Sequence, residues 1–309
     1  MPDERNEPTP RVTIVTPSFN QARFLEETIL SVLEQDYPNI EYAIVDGGSD
    51  DGSIEIIERY ADRLAWWTAG PDGGQAAALN AAFARASGDY LGWLNSDDTL
   101  LPGSVSRAVA ALRASPDALL VYGDAIFTDE HSRETGRFHS VDLDPVEMAR
   151  TCIDKINPQG ALFHRRALEL AGPLEGFYTF DFEFVMRIGI AGPVVRLSEP
   201  LATFRLHAES KSMGVPVRRA ADYLEMYDRF FSRPLPPEVR AVEAEGRART
   251  LVWAGELFYA GLEHARARQC YLRAMRLHPS LSGRCLGLLA RACLPAWGVR
   301  RLRAARSGQ

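Results

Sequence analysis

The sequence predicts a mixed α/β fold, a mostly parallel sheet flanked by helices, followed by an all-α C-terminal extension. Three observations predict it. β-rich runs alternate with amphipathic helical runs through the first half of the 309 residues. Polar clusters ("TPSFNQ", "DGGSDDGS", "GPDGGQ", "NSDD") follow the strand-like runs directly. Beyond about residue 215 the periodicity becomes helical only.

"RVTIVT" is β-rich, and "PSFNQA" turns it into a helix whose apolar positions Phe24, Leu25, Ile29, Val32 and Leu33 share one face, with Pro38 ending it. "IEYAIVD" is the second strand, "GGSDDGS" its loop and "IEIIERYA" the next helix. "LAWWTA" is a short third strand, and the alanines of "GQAAALNAAFARA" favour a helix. "YLGWLN" and "ALLVYGD" are further strands, with a helix opening near Pro102 between them. A hairpin is expected around "FTDEHSRETGRF", then short elements, an amphipathic helix at "DFEFVMRIGIAG" and strand material in "VVRLSEPLATFRLH". The expected division is a disordered start over 1–10, an α/β domain over 11–215 and a helical region over 216–309.

A composition of 46% hydrophobic and 25% charged residues is that of a water-soluble globular protein, and the net charge of −6 gives no reason to expect nucleic acid as a partner. The four cysteines form no C-x-x-C pair and read as reduced thiols. No segment approaches the roughly 20 apolar residues of a membrane span, and "MPDERNEPTP" lacks the apolar region of a signal peptide.

Sheets of this kind bind ligands outside the carboxyl ends of their strands, where the polar clusters sit. Asp46 ends the second strand, where it can accept from a nucleobase N–H; a turn with a helix cap from Asp51 or Ser53 explains the same residues. Neither G-x-G-x-x-G nor a P-loop lysine motif occurs, which argues against dinucleotide dehydrogenases and NTPases. Asn95, Asp97 and Asp98 are hard oxygen donors suited to Mg²⁺ or Mn²⁺, although a turn in which they bond their own backbone is the plainer alternative. Carboxylates facing a diphosphate would repel it unless a cation lay between them.

In order and spacing, "VTPSFNQARFLEETILSVLEQDYPNIEYAIVDGGSDDGS", "GPDGGQAAALNAAF" and "YLGWLNSDDTLLPGS" resemble glycosyltransferase family 2, over about residues 11 to 210. The resemblance implies the GT-A fold, Rossmann-like, and inverting transfer of a sugar from a nucleotide-diphosphate donor, most often UDP, to a glycan or lipid-linked acceptor hydroxyl. It implies that Pro17, Ser18, Asn20 and Asp46 line the nucleotide site with Gln75, Asn80, Asn95 and Ser96. "NSDD" resembles the family's D-x-D motif, with Asp97 and Asp98 on the metal and Asn95 in place of the first acid. Ala77 and Ala81 depart from the acid and lysine common on that helix. "YTFDFEFVMRIG" resembles the E-D-x-[DE] region, which makes Asp181 the general base and Glu183 an acceptor or support contact; without the family, Asp181 reads equally as a helix cap. "FRLHAESKS" resembles a loop closing over the diphosphate, with His207 on the metal or phosphate and Arg205 or Lys211 neutralising charge. Gln159 and Arg165 fall on the expected acceptor side.

"LVWAGELFYAGLEHARARQCYLRAMRLHPS" has the spacing of one tetratricopeptide-like repeat. Residues 281–309 carry six arginines with leucines, Trp297 and no acid, a composition suited to peripheral contact with an anionic membrane; a solvated terminal helix is the alternative. The expected location is cytoplasmic, on the inner face of the plasma membrane if that segment binds lipid. Two rival readings are a nucleotidyltransferase making nucleotide sugars, which lacks its basic Gly-rich signature here, and a catalytically silent scaffold.

Overall fold

The structure is a computed structural model that describes residues 9–208, 210 and 216–293. The chain divides into two compact units: Met1–Leu143, Asp154–Gly176 and Phe180–Ser210 form one, and Asp144–Ile153, Phe177–Thr179 and Lys211–Gln309 the other. The second unit thus draws on two short segments upstream of the composition shift at 215.

In chain order the first unit begins with β1 (Val12–Ser18), α1 (Ala22–Leu33), β2 (Ile40–Asp46), α2 (Ser53–Arg59), β3 (Trp66–Ala69), α3 (Gln75–Arg85) and β4 (Tyr90–Trp93). It continues with α4 (Ser104–Ala114), β5 (Leu120–Thr128) and β6 (Glu134–Phe138). After α5 (Pro145–Thr151), which belongs to the second unit, come β7 (Asn157–His164), α6 (Arg166–Ala171), α7 (Phe180–Ala191) and β8 (Val194–Arg205). The sheet runs β3-β2-β1-β4-β7-β5-β6, with β8 paired to β5. All seven residues of β1 are buried, as expected of a strand covered on both faces. Ile14, Leu25, Ile29, Ile44, Val105 and Leu162 meet in the core, where each buried aliphatic side chain contributes roughly 1.5–3 kcal/mol. At the start of the chain Thr9 and Pro10, inside the stretch expected to be disordered, are tied down: their carbonyls accept from Asn39 Nδ2 at 2.8 Å and Tyr37 Oη at 2.6 Å.

β1 to β4 pair in parallel, as does β8 with β5, and the β5–β6 hairpin forms where expected. β7 is different, since it runs antiparallel to both β4 and β5 and joins them. Its sequence "NPQGALFH" falls in the stretch where only short elements are expected, and the structure makes it a full strand in which Gly160 sits at φ 75° and a Cβ would stand 2.9 Å from Leu201 Cβ.

The second unit is helical: α5, then α8 (Pro216–Ser232), α9 (Pro237–Ala241), α10 (Glu243–Ala260), α11 (His264–Leu277) and α12 (Ser282–Cys293). α8 buries Ala220, Tyr223, Met226, Tyr227, Phe230 and Phe231, the i, i+3, i+4 spacing of a single stripe. α10 and α11 approach closely because Gly255 lies against the Tyr271 ring, leaving no room for a side chain at that crossing. Among the described residues, no helix is long and apolar enough to cross a membrane.

Candidate active site

The loop after β4 is the most heavily braced segment of the α/β unit. Asp98 N–H closes a turn on the Asn95 carbonyl at 3.1 Å. Asp98 itself is buried: one carboxylate oxygen accepts from Arg205 N–H at 2.8 Å and the other from Asn95 Nδ2 at 3.4 Å. Its carbonyl accepts from Thr28 Oγ1 on α1 at 2.7 Å. Loss of solvation, followed by the neighbouring charge of Asp97, pushes the Asp98 carboxyl well above the usual carboxylate range. The two adjacent acids therefore diverge, Asp98 bracing the end of β8 from within while Asp97 keeps 18% of its side chain exposed.

Asp97 Oδ2 lies 3.1 Å from His207 Nε2. The imidazole rests on the Phe24 ring, centroids 4.6 Å apart, and His207 N–H donates to Ser210 Oγ at 3.2 Å. Arg205, two residues earlier, is fully buried. Its guanidinium donates to the Asp97 carbonyl at 2.8 Å, to Ser132 Oγ at 2.8 Å and to Glu27 at 2.7 Å, and it lies over the other side of the Phe24 environment at 4.8 Å from the ring centre. The expectation that Arg205 neutralises a diphosphate is thereby corrected, because its charge is spent on Glu27 and the backbone. Lys211 lies outside the described residues.

Asn95 links three elements. Its Oδ1 accepts from Gln75 Nε2 at 2.8 Å at the start of α3, and its N–H donates to Gln159 Oε1 at 3.2 Å. Gln159 is buried on β7 and braces Asn95 from behind, in place of the acceptor contact expected of it; Arg165 likewise caps α3 through the Ala86 and Gly88 carbonyls. Ser96 is buried in the turn.

At the ends of β1 and β2, Ser18 stands opposite Asp46, and Pro17 and Ser18 are both buried. Asp46 has no exposed surface. It accepts from Gly48 N–H at 3.0 Å, Ser49 N–H at 2.7 Å and Ser49 Oγ at 2.7 Å. It therefore shapes the loop, and the nucleobase contact expected of it has no open oxygen in this arrangement. Asn20, with φ 51°, joins the two loops by accepting from Asp50 N–H at 3.0 Å and donating its own N–H to Ser49 Oγ at 2.8 Å. Two further residues are turned to internal work. Asn80 exchanges hydrogen bonds with the Leu174 backbone at 2.8 and 3.0 Å. Glu183 is wholly buried against Arg187 at 2.7 Å, and Arg187 holds the carbonyls of Gly172 and Pro173, so Glu183 offers no acceptor contact.

Asp181 lies in the first turn of α7, and the preceding Phe180 ring meets Trp93 of β4 at 5.8 Å, which brings this helix start to the strand end that carries Asn95. Asp181 is electrostatically coupled to Asp154, a residue the sequence reading missed. Asp154 keeps accessible surface, yet enough protein surrounds it that lost solvation, then the charge of Asp181, pushes its carboxyl up to about 7. Its only signal in sequence is an acid just before an apolar run, which is too common to single out.

Among the described residues, no group of three or more His, Cys, Asp or Glu side chains converges as a metal cage. One partly exposed carboxylate, with an imidazole beside it, does suit Mg²⁺ or Mn²⁺, ions commonly held by one or two carboxylates and completed by substrate phosphates and water.

A sequence profile described as glycosyl transferase family 2 matches residues 13–178. An uncharacterized glycosyltransferase of Mycobacterium tuberculosis is 40% identical over 105 residues, 33% of this chain and 40% of that protein. The putative teichuronic acid biosynthesis glycosyltransferase TuaG of Bacillus subtilis is 39% identical over 92 residues, 29% of this chain and 36% of that one. The chain thus spans well under half the length of these relatives. Among solved structures, S. aureus TarS residues 1–349 in complex with UDP-GlcNAc superposes with a TM-score of 0.68 at 15% identity, covering 90% of this chain and 84% of that one. The mannosyltransferase PcManGT of Pyrobaculum calidifontis, in complex with GDP-Man and Mn²⁺, gives 0.58 at 20% identity, covering 98% and 81%. At such identities the two structures share the fold with this chain, a GT-A-like sheet with flanking helices.

Proposed function

The chain belongs to glycosyl transferase family 2, and from that premise we propose that it is an inverting glycosyltransferase using a nucleotide-diphosphate sugar, most simply a UDP-sugar, and a glycan or lipid-linked acceptor hydroxyl. The observation that carries this reading is the Asp97–His207 contact of 3.1 Å outside the end of β4, braced from behind by Arg205 and Asp98. These two residues would hold Mg²⁺ or Mn²⁺, which when bound supplies positive charge against the diphosphate leaving group. Asp98 is left out of the metal set because its oxygens serve Arg205 and Asn95. Gln75 and Asn95 orient the loop under the donor.

Asp181 takes the proton from the acceptor hydroxyl as its oxygen bonds to the anomeric carbon and the bond from that carbon to the diphosphate breaks. Asp154 lies close enough to feel the charge of Asp181, which makes it the neighbouring group whose protonation the base would sense. The catalytic part extends over about 11–215 and the helical part over 216–309, whose α10–α11 hairpin we read as one tetratricopeptide-like repeat, supported by the Gly255–Tyr271 crossing. Location on the cytoplasmic face of a membrane agrees with a lipid-linked acceptor. The basic segment 281–309 proposed to reach that membrane lies partly outside the described residues, from 294 onward.

Calorimetry of UDP with and without Mn²⁺ tests the proposal. Tighter binding with Mn²⁺ in the wild type, lost in Asp97→Ala, is the expected result; identical affinity in both conditions for both proteins would remove the metal from the reading.

A further inference from the structure

The charge of this chain is divided unevenly along its length. Residues 264–309 contain ten of the 35 basic residues, all arginines, and none of the 41 acids, so the first 263 residues hold every Asp and Glu against the remaining 25 bases. α11 and α12 carry Arg266, Arg268, Arg273, Arg276, Arg284 and Arg291. Some of these are occupied: Arg266 pairs with Glu263 at 3.0 Å, Arg284 with Glu256 at 3.1 Å, and Arg268 donates to the Ala292 carbonyl at 3.0 Å. Arg273 and Arg276 are exposed and have no acidic partner among the described residues.

Leucines share that exposed side. Ala267, Cys270, Tyr271 and Ala274 form the buried stripe of α11, which turns Leu272, Arg273 and Arg276 outward, while Leu277 is exposed as the last residue of the helix. Leu272 is 45% exposed, Leu277 42%, and Leu286 on the adjoining α12 57%. Leucine in water at these positions has no fold role that the unit's own core explains. Arginines interleaved with outward leucines, on helices whose own sequence contains no acid, match a bilayer interface, which takes leucine into its acyl boundary and arginine against anionic headgroups. A nucleic acid backbone would use the arginines and leave the leucines unsatisfied.

We propose that the outward surface of α11 and α12 docks the protein on an anionic phospholipid membrane, with Leu272 and Leu286 inserting and Arg273 and Arg276 pairing with headgroup phosphates. This surface stands independently of the chemistry at Asp97, and it lies in helices upstream of the terminal segment that composition alone singles out.

The test is flotation of the full chain with vesicles of pure phosphatidylcholine and of phosphatidylcholine containing phosphatidylglycerol, at low and high salt. The expected result is recovery with the anionic vesicles alone, weakened by salt. Arg273→Gln with Arg276→Gln should lower the partition constant by roughly an order of magnitude or more. Leu272→Gln with Leu286→Gln should lower it as well, with melting temperatures unchanged because all four positions are exposed. Equal recovery with both vesicle types, or full binding by both double variants, would overturn the proposal. Binding of a single-stranded RNA oligonucleotide that depends on the arginine pair and ignores the leucine pair, without vesicle binding, would overturn it in favour of nucleic acid.

Discussion

Two pairs of aspartates stand out in the α/β unit, and each solves the problem of like charge differently. Asp97 and Asp98 are neighbours in sequence but opposites in environment: one faces His207, the other is buried with its oxygens bonded to Arg205 N–H and Asn95. Asp154 and Asp181 come from different elements, a segment before β7 and the first turn of α7, and are coupled through space, with the Asp154 carboxyl pushed up to about 7. In the first pair hydrogen bonds assign the roles in advance. In the second the roles are left to protonation, so the first pair should respond to substitution and the second to pH.

The largest effect that separates the pairs is expected from Asp181→Asn, which should slow transfer by roughly 10²–10⁴-fold while leaving UDP affinity intact. Steady-state kinetics with calorimetry checks it, and a variant with most of its activity would take Asp181 out of the mechanism. Next comes Arg205→Ala. Losing the buried guanidinium, and with it the hydrogen bonds to Ser132 and the Asp97 carbonyl, should cost about 1–3 kcal/mol in denaturant unfolding, and the loosened Asp97 turn should weaken Mn²⁺-dependent UDP binding as well. Arg205→Lys keeps a positive charge beside Glu27 but loses the guanidinium fork that holds the Asp97 carbonyl, so it is expected to recover much of the stability and less of the binding.

Asp154→Asn sharpens the comparison in pH. A carboxyl whose folded-state pKa is raised binds its proton more tightly in the native protein, so its contribution to stability is full in acid and is lost as pH climbs from the ordinary carboxylate range through about 7. Wild type should therefore lose melting temperature relative to Asp154→Asn across that window. The acidic limb of its rate profile should also lie at higher pH than that of the variant, because the coupling to Asp181 is mutual. Superimposable curves would dissolve the pair. The smallest effect belongs to Asp98→Asn: an amide oxygen can still accept from Arg205 N–H, so Mn²⁺-dependent UDP binding should persist, in contrast to Asp97→Ala.

What the sequence conveys about these two regions differs for the same physical reason. The Asp97 cluster is local: a strand, a turn and two acids within "YLGWLNSDD" reveal the element and suggest the chemistry proposed for it, and the glycines and polar residues after β1, β2 and β3 mark their loops likewise. Burial is harder to read. Gln159, Asn80, Glu183 and Asp46 have the right chemistry for ligands, and only the three-dimensional contacts show that Asn95, Leu174, Arg187 and the Ser49 loop already claim them. The Asp154–Asp181 proximity joins residues 27 positions apart, one before β7 and one on α7, a long-range contact that no local pattern in the sequence announces.

The late strand β7 has a consequence for biosynthesis. By the time residue 98 leaves the ribosome, the chain contains the complete β3-β2-β1-β4 half of the sheet and both acids of the metal-side turn, although the β8 segment that braces them is a hundred residues away. A nascent chain can begin to assemble the β3-β2-β1-β4 half, proposed to face the nucleotide, from strands already synthesised, while the half carrying the proposed base Asp181 must wait for later segments to arrive. The grip on the donor should thus be rehearsed during translation and the capacity to react acquired only near its end.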